Sequence, residues 1–268
     1  MQTKNTALVY FSATYTTRKV MKTLTEQLAW NITRYDITQS SPEKDVIIGN
    51  NDLLVIGAPV YAGRIPAIAL KAFNKFKGDN TPAVIVCVYG NRDYDDALLE
   101  LKDLVENNGF KVISAGAFIA QHSIFPQVGE NRPDEKDKEI IKDFSNQTTR
   151  LLENATDINS FQEIYIKGNK PYKIPGKIPL QPKGNRRCNK CGICVKLCPV
   201  SAISTDRPRK TDKTKCISCG RCITVCPQHA RHFGGLLYKF AGKKFVKTNI
   251  ERKEPSVVYS SLKNSETV

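Results

Sequence analysis

The chain has 268 residues and a mass of 30.0 kDa, enough for one large domain and one small one. Its 40% hydrophobic and 25% charged residues exclude disorder throughout; no apolar run reaches membrane-spanning length, and the start MQTKNTALVYF has no secretory pattern, so the protein reads as cytoplasmic, where thiols stay reduced. The formal net charge of +15 is unevenly spread, with 18 Lys and Arg against 20 Asp and Glu in residues 1–160, and 23 against 6 in residues 161–268.

From the N-terminus, apolar runs alternate with helical periodicities. TALVYF (6–11), DLLVIGAPV (52–60), PAVIVCVYG (82–90) and FKVISAGAFIA (110–120) have the length and composition of buried strands, and RYDIT (34–38) is a shorter candidate. Val20, Met21, Leu24 and Leu28 recur at helical spacing after Thr17; Leu70, Phe73 and Phe76 follow the second run, and Ala97, Leu98, Leu101 and Leu104 the third. A last helix is predicted from near Pro133, with Asp134, Glu135 and Asp137 in its first turn and Ile140, Ile141, Phe144, Leu151 and Leu152 facing inward. This alternation predicts an α/β domain over residues 1–160, a parallel sheet covered on both faces. Cys87, inside PAVIVCVYG, reads as an inert core thiol.

In such a sheet a ligand binds beyond the carboxyl ends of the strands, where the strand order reverses. FSATYTTRK places Ser12, Thr14, Thr16 and Thr17 at a turn opening a helix, a group of hydroxyls and N–H groups suited to an anion. APVYAGRIP and YGNRDYDD add aromatic and polar side chains at two further strand ends. His122, in AQHSI after a strand end, is placed to border a ligand there, but reads first as a satisfied structural histidine. Residues 161–187 are a linker; within it KGNKPYKIPGKIPLQPKGNRR has four prolines and seven Lys or Arg, an extended and semi-rigid composition.

CNKCGICVKLCP (188–199) and CISCGRCITVCP (216–227) then repeat one pattern. Disulfides fit a reducing compartment poorly, and a four-thiolate zinc site usually has two Cys-x-x-Cys pairs separated by a longer loop. The spacing Cys-x2-Cys-x2-Cys-x3-Cys-Pro is the bacterial ferredoxin pattern, in which the fourth cysteine ligates the other cluster. One [4Fe-4S] cluster is therefore expected on Cys188, Cys191, Cys194 and Cys226, and a second on Cys216, Cys219, Cys222 and Cys198. Pro199 and Pro227 follow the crossing cysteines, Gly192 and Gly220 supply permissive backbone, and Ile193, Val195, Ile203, Ile217, Ile223 and Val225 are the expected apolar sheath. This small α+β dicluster domain spans 188–232, and a basic extension fills 233–268, in which Leu236, Leu237, Phe240 and Phe245 are expected to pack back on the cluster domain before a polar tail. The basic half favours acidic redox proteins as partners, steered by charge. No helix-turn-helix or finger pattern supports nucleic acid.

The loops FSATYTT, PVYAGRIP and YGNRDYDDAL, followed by the cysteine repeat, resemble the flavodoxin-ferredoxin fusion proteins of anaerobes over nearly all of residues 5–232. The resemblance implies a flavodoxin-like doubly wound sheet binding FMN, its phosphate held by Ser12, Thr14, Thr16 and Thr17. It implies one flavin loop of Pro59, Tyr61, Ala62, Gly63 and Arg64 and another of Gly90, Asn91, Arg92 and Tyr94. Tyr61 and Tyr94 are the expected flanking rings, the Ala62–Gly63 peptide the contact to flavin N5, and Arg64 or Arg92 the cation at the N1–C2=O edge. Tyr15 stands where the family usually has glycine. It either takes a different turn, pointing at solvent or at the flavin, or weakens phosphate binding. The implied function is electron transfer between two [4Fe-4S] clusters and FMN. The alternatives are a flavin-free dicluster carrier with a docking domain, and a flavin-dependent reductase, for which no dedicated substrate acid or base stands out.

Overall fold

Runs rich in Val, Ile and Ala form strands where their lengths allow, and the segments of helical period cover them. The computed structural model describes residues 1–263 other than Gln2, Lys4, Ala29 and Lys177. Its first half contains β1 (Asn5–Tyr10), α1 (Thr16–Thr25), β2 (Asn31–Asp36), β3 (Val46–Ile48), β4 (Leu53–Pro59), α2 (Ala67–Phe73), β5 (Phe76–Gly78), β6 (Thr81–Tyr89), α3 (Ala97–Asn107), β7 (Phe110–Ile119) and α4 (Glu135–Asn154). The main sheet runs β2-β1-β4-β6-β7, all parallel. Counting these five strands alone, the order is 2-1-3-4-5, that of a flavodoxin-like doubly wound fold with its switch point beside β1.

Alternation along β6 feeds two apolar layers. Ala83, Ile85, Cys87 and Tyr89 join Phe73, Leu98 and Leu101 on one face. Val84, Val86 and Val88 join Val20, Met21, Leu24, Ile141 and Phe144 on the other. Every residue of β6 is buried, which is why it reads as a continuous apolar run. Burial pushes the Cys87 thiol well up, in keeping with an inert core residue. Asp134 caps α4 in a reciprocal box with Asp137, each carboxylate accepting the other's backbone N–H at 3.0 Å.

Phe76 departs from the helical expectation. Lys75 N turns back to Ala72 O at 3.1 Å, and Phe76 enters β5, buried edge-on to Tyr35 with centroids 5.2 Å apart. A spacing of three residues suited a continued helix, but a short strand parallel to β3 wins the same burial.

The second half contains β8 (Lys183–Gly184), α5 (Ile193–Lys196), α6 (Arg221–Thr224), β9 (Arg231–His232), α7 (Leu236–Asn249) and β10 (Ser256–Tyr259). β8 and β9 pair antiparallel, and β10 returns to the main sheet as an antiparallel edge on β7. Leu236, Leu237 and Phe240 do not pack back: they are 74%, 54% and 73% exposed. The helical period puts Tyr238, Phe245 and Val246 on the inner face instead, against Ile124, Phe125 and Phe233. The polar tail beyond Lys263 lies outside the described residues. The 161–187 segment is pinned to α3, where Asp96 accepts from Asn169 N at 2.8 Å and from Lys173 N at 2.6 Å.

Candidate functional site

A cleft of about 1030 Å³ opens beyond the carboxyl ends of the central strands. Thr14, Thr16 and Thr17 line it from the entry to α1; Pro59, Tyr61, Ala62 and Gly63 from the loop after β4; Gly90 and Arg92 from the loop after β6. Tyr61 N donates to Arg64 O at 2.9 Å and Arg64 N to Tyr61 O at 3.2 Å. Ala62 and Gly63 between them have φ of 52° and 86°. This is a type I′ turn, the geometry that needs positive φ at both central residues. The three threonine hydroxyls meet a helix start with no acidic side chain in its first turn, a donor set that suits a phosphate.

Ser12, Tyr15, Arg64, Asn91 and Tyr94 do not line the cleft, each for a visible reason. The buried Ser12 Oγ accepts from Arg18 N at 2.9 Å and so caps α1, whose N-cap residue Tyr15 provides no side-chain cap. Tyr15 keeps the positive φ of a glycine, 65°, and its ring lies between Arg18 and Arg221, 4.6 and 5.3 Å from their guanidinium carbons. Arg64 is captured in a fork by the buried Glu100 carboxylate, while its Nη1 donates to Lys173 O at 2.7 Å. Asn91 Nδ2 donates to Asn249 O and Glu251 O, both at 2.7 Å. Tyr94 is buried edge-on to Tyr89. Arg92, the other cation expected at the flavin edge, remains in the cleft and pairs with Asp95.

Beyond the expected flavin loops, further residues line the cleft. Tyr89 and the segment after β7, Gln121 to Ile124, line it, as do Ile178, Ile217, Ser218 and Phe245. His122 is both satisfied and in the cleft. Its Nδ1 accepts from Ile124 N at 3.2 Å and Phe125 N at 3.0 Å, which assigns the proton to Nε2. Burial, with Arg92 adding to it, pulls its pKa down to about 4, so the ring is neutral at pH 7. The strand-end position of AQHSI was a usable signal; Ile217 and Phe245 had none, because only folding brings them here.

The structure brings the repeated cysteines around two small cavities. One is lined by Cys188, Cys191, Cys194 and Cys226, the other by Cys198, Cys216, Cys219 and Cys222. Gly192 and Gly220, with φ of 78° and 77°, start α5 and α6, so both motifs turn alike. Cys198 Sγ accepts from Ala202 N and Cys226 Sγ from Ala230 N, each at 3.3 Å. Four sulfurs around one small cavity, with N–H groups aimed at them, suit a thiolate-bound cluster. Ile203 of the expected sheath is buried, whereas Ile193 is 37% exposed.

The two cages differ in setting. Ser218, Cys219, Gly220 and Arg221 are buried. Arg221 Nη1 donates to Ser12 O at 3.3 Å and Ala13 O at 3.1 Å, and its Nε to Leu197 O at 3.0 Å, joining the second cage to the threonine loop. Cys219 shares an apolar cluster with Tyr61 and Ile217. Cys191 of the first cage is exposed, flanked by Lys190, and Arg209 Nη2 donates to Cys188 O at 3.1 Å.

A family model described as a 4Fe-4S dicluster domain matches residues 187–230. No curated protein matches the chain. Among solved structures, rubredoxin oxygen:oxidoreductase of Desulfovibrio gigas is similar at 14% identity and a TM-score of 0.41, over 57% of this chain and 37% of its own length. Flavodoxin 1 of Bacillus cereus aligns at 15% identity and a TM-score of 0.44, over 55% of this chain and 98% of that one. A Fusobacterium nucleatum flavodoxin variant bound to flavin mononucleotide aligns at 18% identity and a TM-score of 0.41, over 56% and 97%. The chain thus joins a flavodoxin-like α/β domain to a 4Fe-4S dicluster domain.

Proposed function

We propose that the protein passes single electrons between two [4Fe-4S] clusters and an FMN in the cleft, exchanging them with acidic redox proteins. Cys188, Cys191, Cys194 and Cys226 hold one cluster, and Cys198, Cys216, Cys219 and Cys222 the other. When bound, the clusters supply one-electron chemistry and the flavin one- or two-electron chemistry. Thr14, Thr16, Thr17 and the first N–H groups of α1 take the phosphate; Tyr61 and the Ala62–Gly63 turn border the ring system, and Arg92 is the cation nearest to hand. Neutral His122 keeps its Nε2–H as a donor through the working pH range.

The observation that carries this reading is the unequal setting of the cages. The second lies against the cleft, with Ile217 and Ser218 in the cleft wall. The first exposes Cys191 amid basic side chains, where an acidic partner is drawn in. The cages therefore stand in series between partner and cleft.

Anaerobically prepared protein should contain about eight iron and eight sulfide per chain and bind FMN far more tightly than riboflavin, which lacks the phosphate. Zinc without sulfide overturns the clusters. Equal affinity for the two flavins overturns the threonine loop as phosphate site, and no flavin binding leaves a flavin-free carrier.

A further inference from the structure

The two cysteine motifs repeat beyond their cysteines. Cys198-Pro199-Val200-Ser201-Ala202-Ile203 aligns with Cys226-Pro227-Gln228-His229-Ala230-Arg231. Ser201 and His229 share positive φ, 49° and 45°, and the alanine N–H in each half donates to its crossing sulfur. The backbone repeat holds, and one buried side chain breaks it. Ile203, 4% exposed, lines the second cage; Arg231, 3% exposed, lines the first.

Among the described residues Arg231 has only neutral hydrogen-bond partners. Nη1 donates to Pro208 O at 2.5 Å, Nη2 to Pro182 O at 3.0 Å and to Thr211 Oγ1, and Nε to nothing among the described residues. A guanidinium removed from water without a counter-charge is costly. The negative charge within reach is that of the cysteines. Pro208 lines the first cage together with Arg231, whereas Pro182 and Thr211 line the second. Arg231 thus hydrogen-bonds to the lining of both cages and stands between them.

We infer that Arg231 is the buried counter-charge shared by the two clusters, and that it holds their reduction potentials above those an apolar residue at this position would give. An all-thiolate [4Fe-4S] cluster carries about two negative charges when oxidised and about three when reduced. A fixed cation beside it favours gain of the electron delivered by the redox partner, and no proton need accompany that electron. Arg231 also braces Pro182 and Pro208, so a stability measurement alone does not separate charge from scaffold. A potential does.

The inference rests on both cages holding clusters, and iron and sulfide content measured on the same samples tests that separately. The experiment is a redox titration followed by electron paramagnetic resonance on anaerobic full-length protein, comparing wild type with Arg231→Gln, Arg231→Ile and Arg231→Lys. Iron-replete Gln and Ile variants should have at least one cluster harder to reduce by about tenfold, a shift of about 59 mV to the negative side. The Lys variant should stay within about threefold of wild type. Wild-type potentials in iron-replete Gln and Ile variants overturn the inference. Should those two fail to load iron, the Lys variant decides, since it keeps the charge and loses the fork: an unchanged potential supports the charge, and a tenfold negative shift overturns it.

Discussion

Tyr15 occupies a backbone position, φ 65°, that costs glycine nothing and tyrosine of the order of 1 kcal/mol. Its ring between Arg18 and Arg221 offsets this with contacts of about 0.5–1 kcal/mol each. Arg221 continues to the carbonyls of Ser12 and Ala13, so the tyrosine acts at the joint between the threonine loop and the dicluster domain. The two energies nearly cancel, and Tyr15→Gly should leave the melting temperature almost unchanged. Binding titrations should give an FMN Kd within about fivefold of wild type with an unshifted flavin absorption spectrum, while hydrogen exchange at residues 218–222 speeds up. A shifted spectrum would place the ring on the flavin. The family resemblance marked Tyr15 as standing at a glycine position but left its turn open, and nothing in the sequence showed that a cation 206 positions away would receive the ring.

At the scale of elements, the return of the chain as α7 and β10 is held by Asn91, first expected at the cleft, and by Arg132. Asn91 gives both amide hydrogens to backbone carbonyls of Asn249 and Glu251, and its Oδ1 accepts from Lys253 N at 3.2 Å. Arg132 forks onto the buried Asp137 and donates to Lys253 O at 2.7 Å. Arg132→Met should destabilise the protein by about 3 kcal/mol, the low end for stripping one partner from a buried pair, because Arg252 Nη2 remains 3.2 Å from Asp137. Arg132→Lys should rescue little, lacking the fork. Thermal unfolding under anaerobic conditions checks both, and a loss below about 1 kcal/mol for the Met variant contradicts the assignment. The acidic start of α4 was readable from Asp134, Glu135 and Asp137 because it is local, although Asp134 is the N-cap rather than part of the first turn. The strand β10 was not, since SVVY is short and its partner β7 lies some 140 residues earlier.

Across the whole molecule, the charge excess lies on the cysteine-bearing half and the cleft lies at its border with the other half. Exposed Lys183, Arg186 and Arg187 precede the first cage. Stopped-flow reduction by an acidic carrier should slow steeply as ionic strength rises through 0.15 M, where the Debye length is about 8 Å. Neutralising these three residues should mimic high salt, whereas Lys22→Gln, on α1 of the other half, should not. A salt-independent rate contradicts steering.

The sequence by itself determined the alternation of strands and helices, the parallel α/β class, the paired cysteine motifs and the charge asymmetry, because spacing, period and composition are properties of neighbouring residues. Tertiary structure decided which of the candidate side chains face the cleft. Arg64 found Glu100, Asn91 found the returning backbone and Ser12 found an uncapped helix, each because a buried polar group takes the partner that packing brings to it. Tertiary structure also decided which cage lies against the cleft and which meets solvent, since the cysteines, glycine and proline shared by the two motifs do not distinguish the cages, and Arg221, standing where the first motif has Ile193, reaches the threonine loop only once the chain folds.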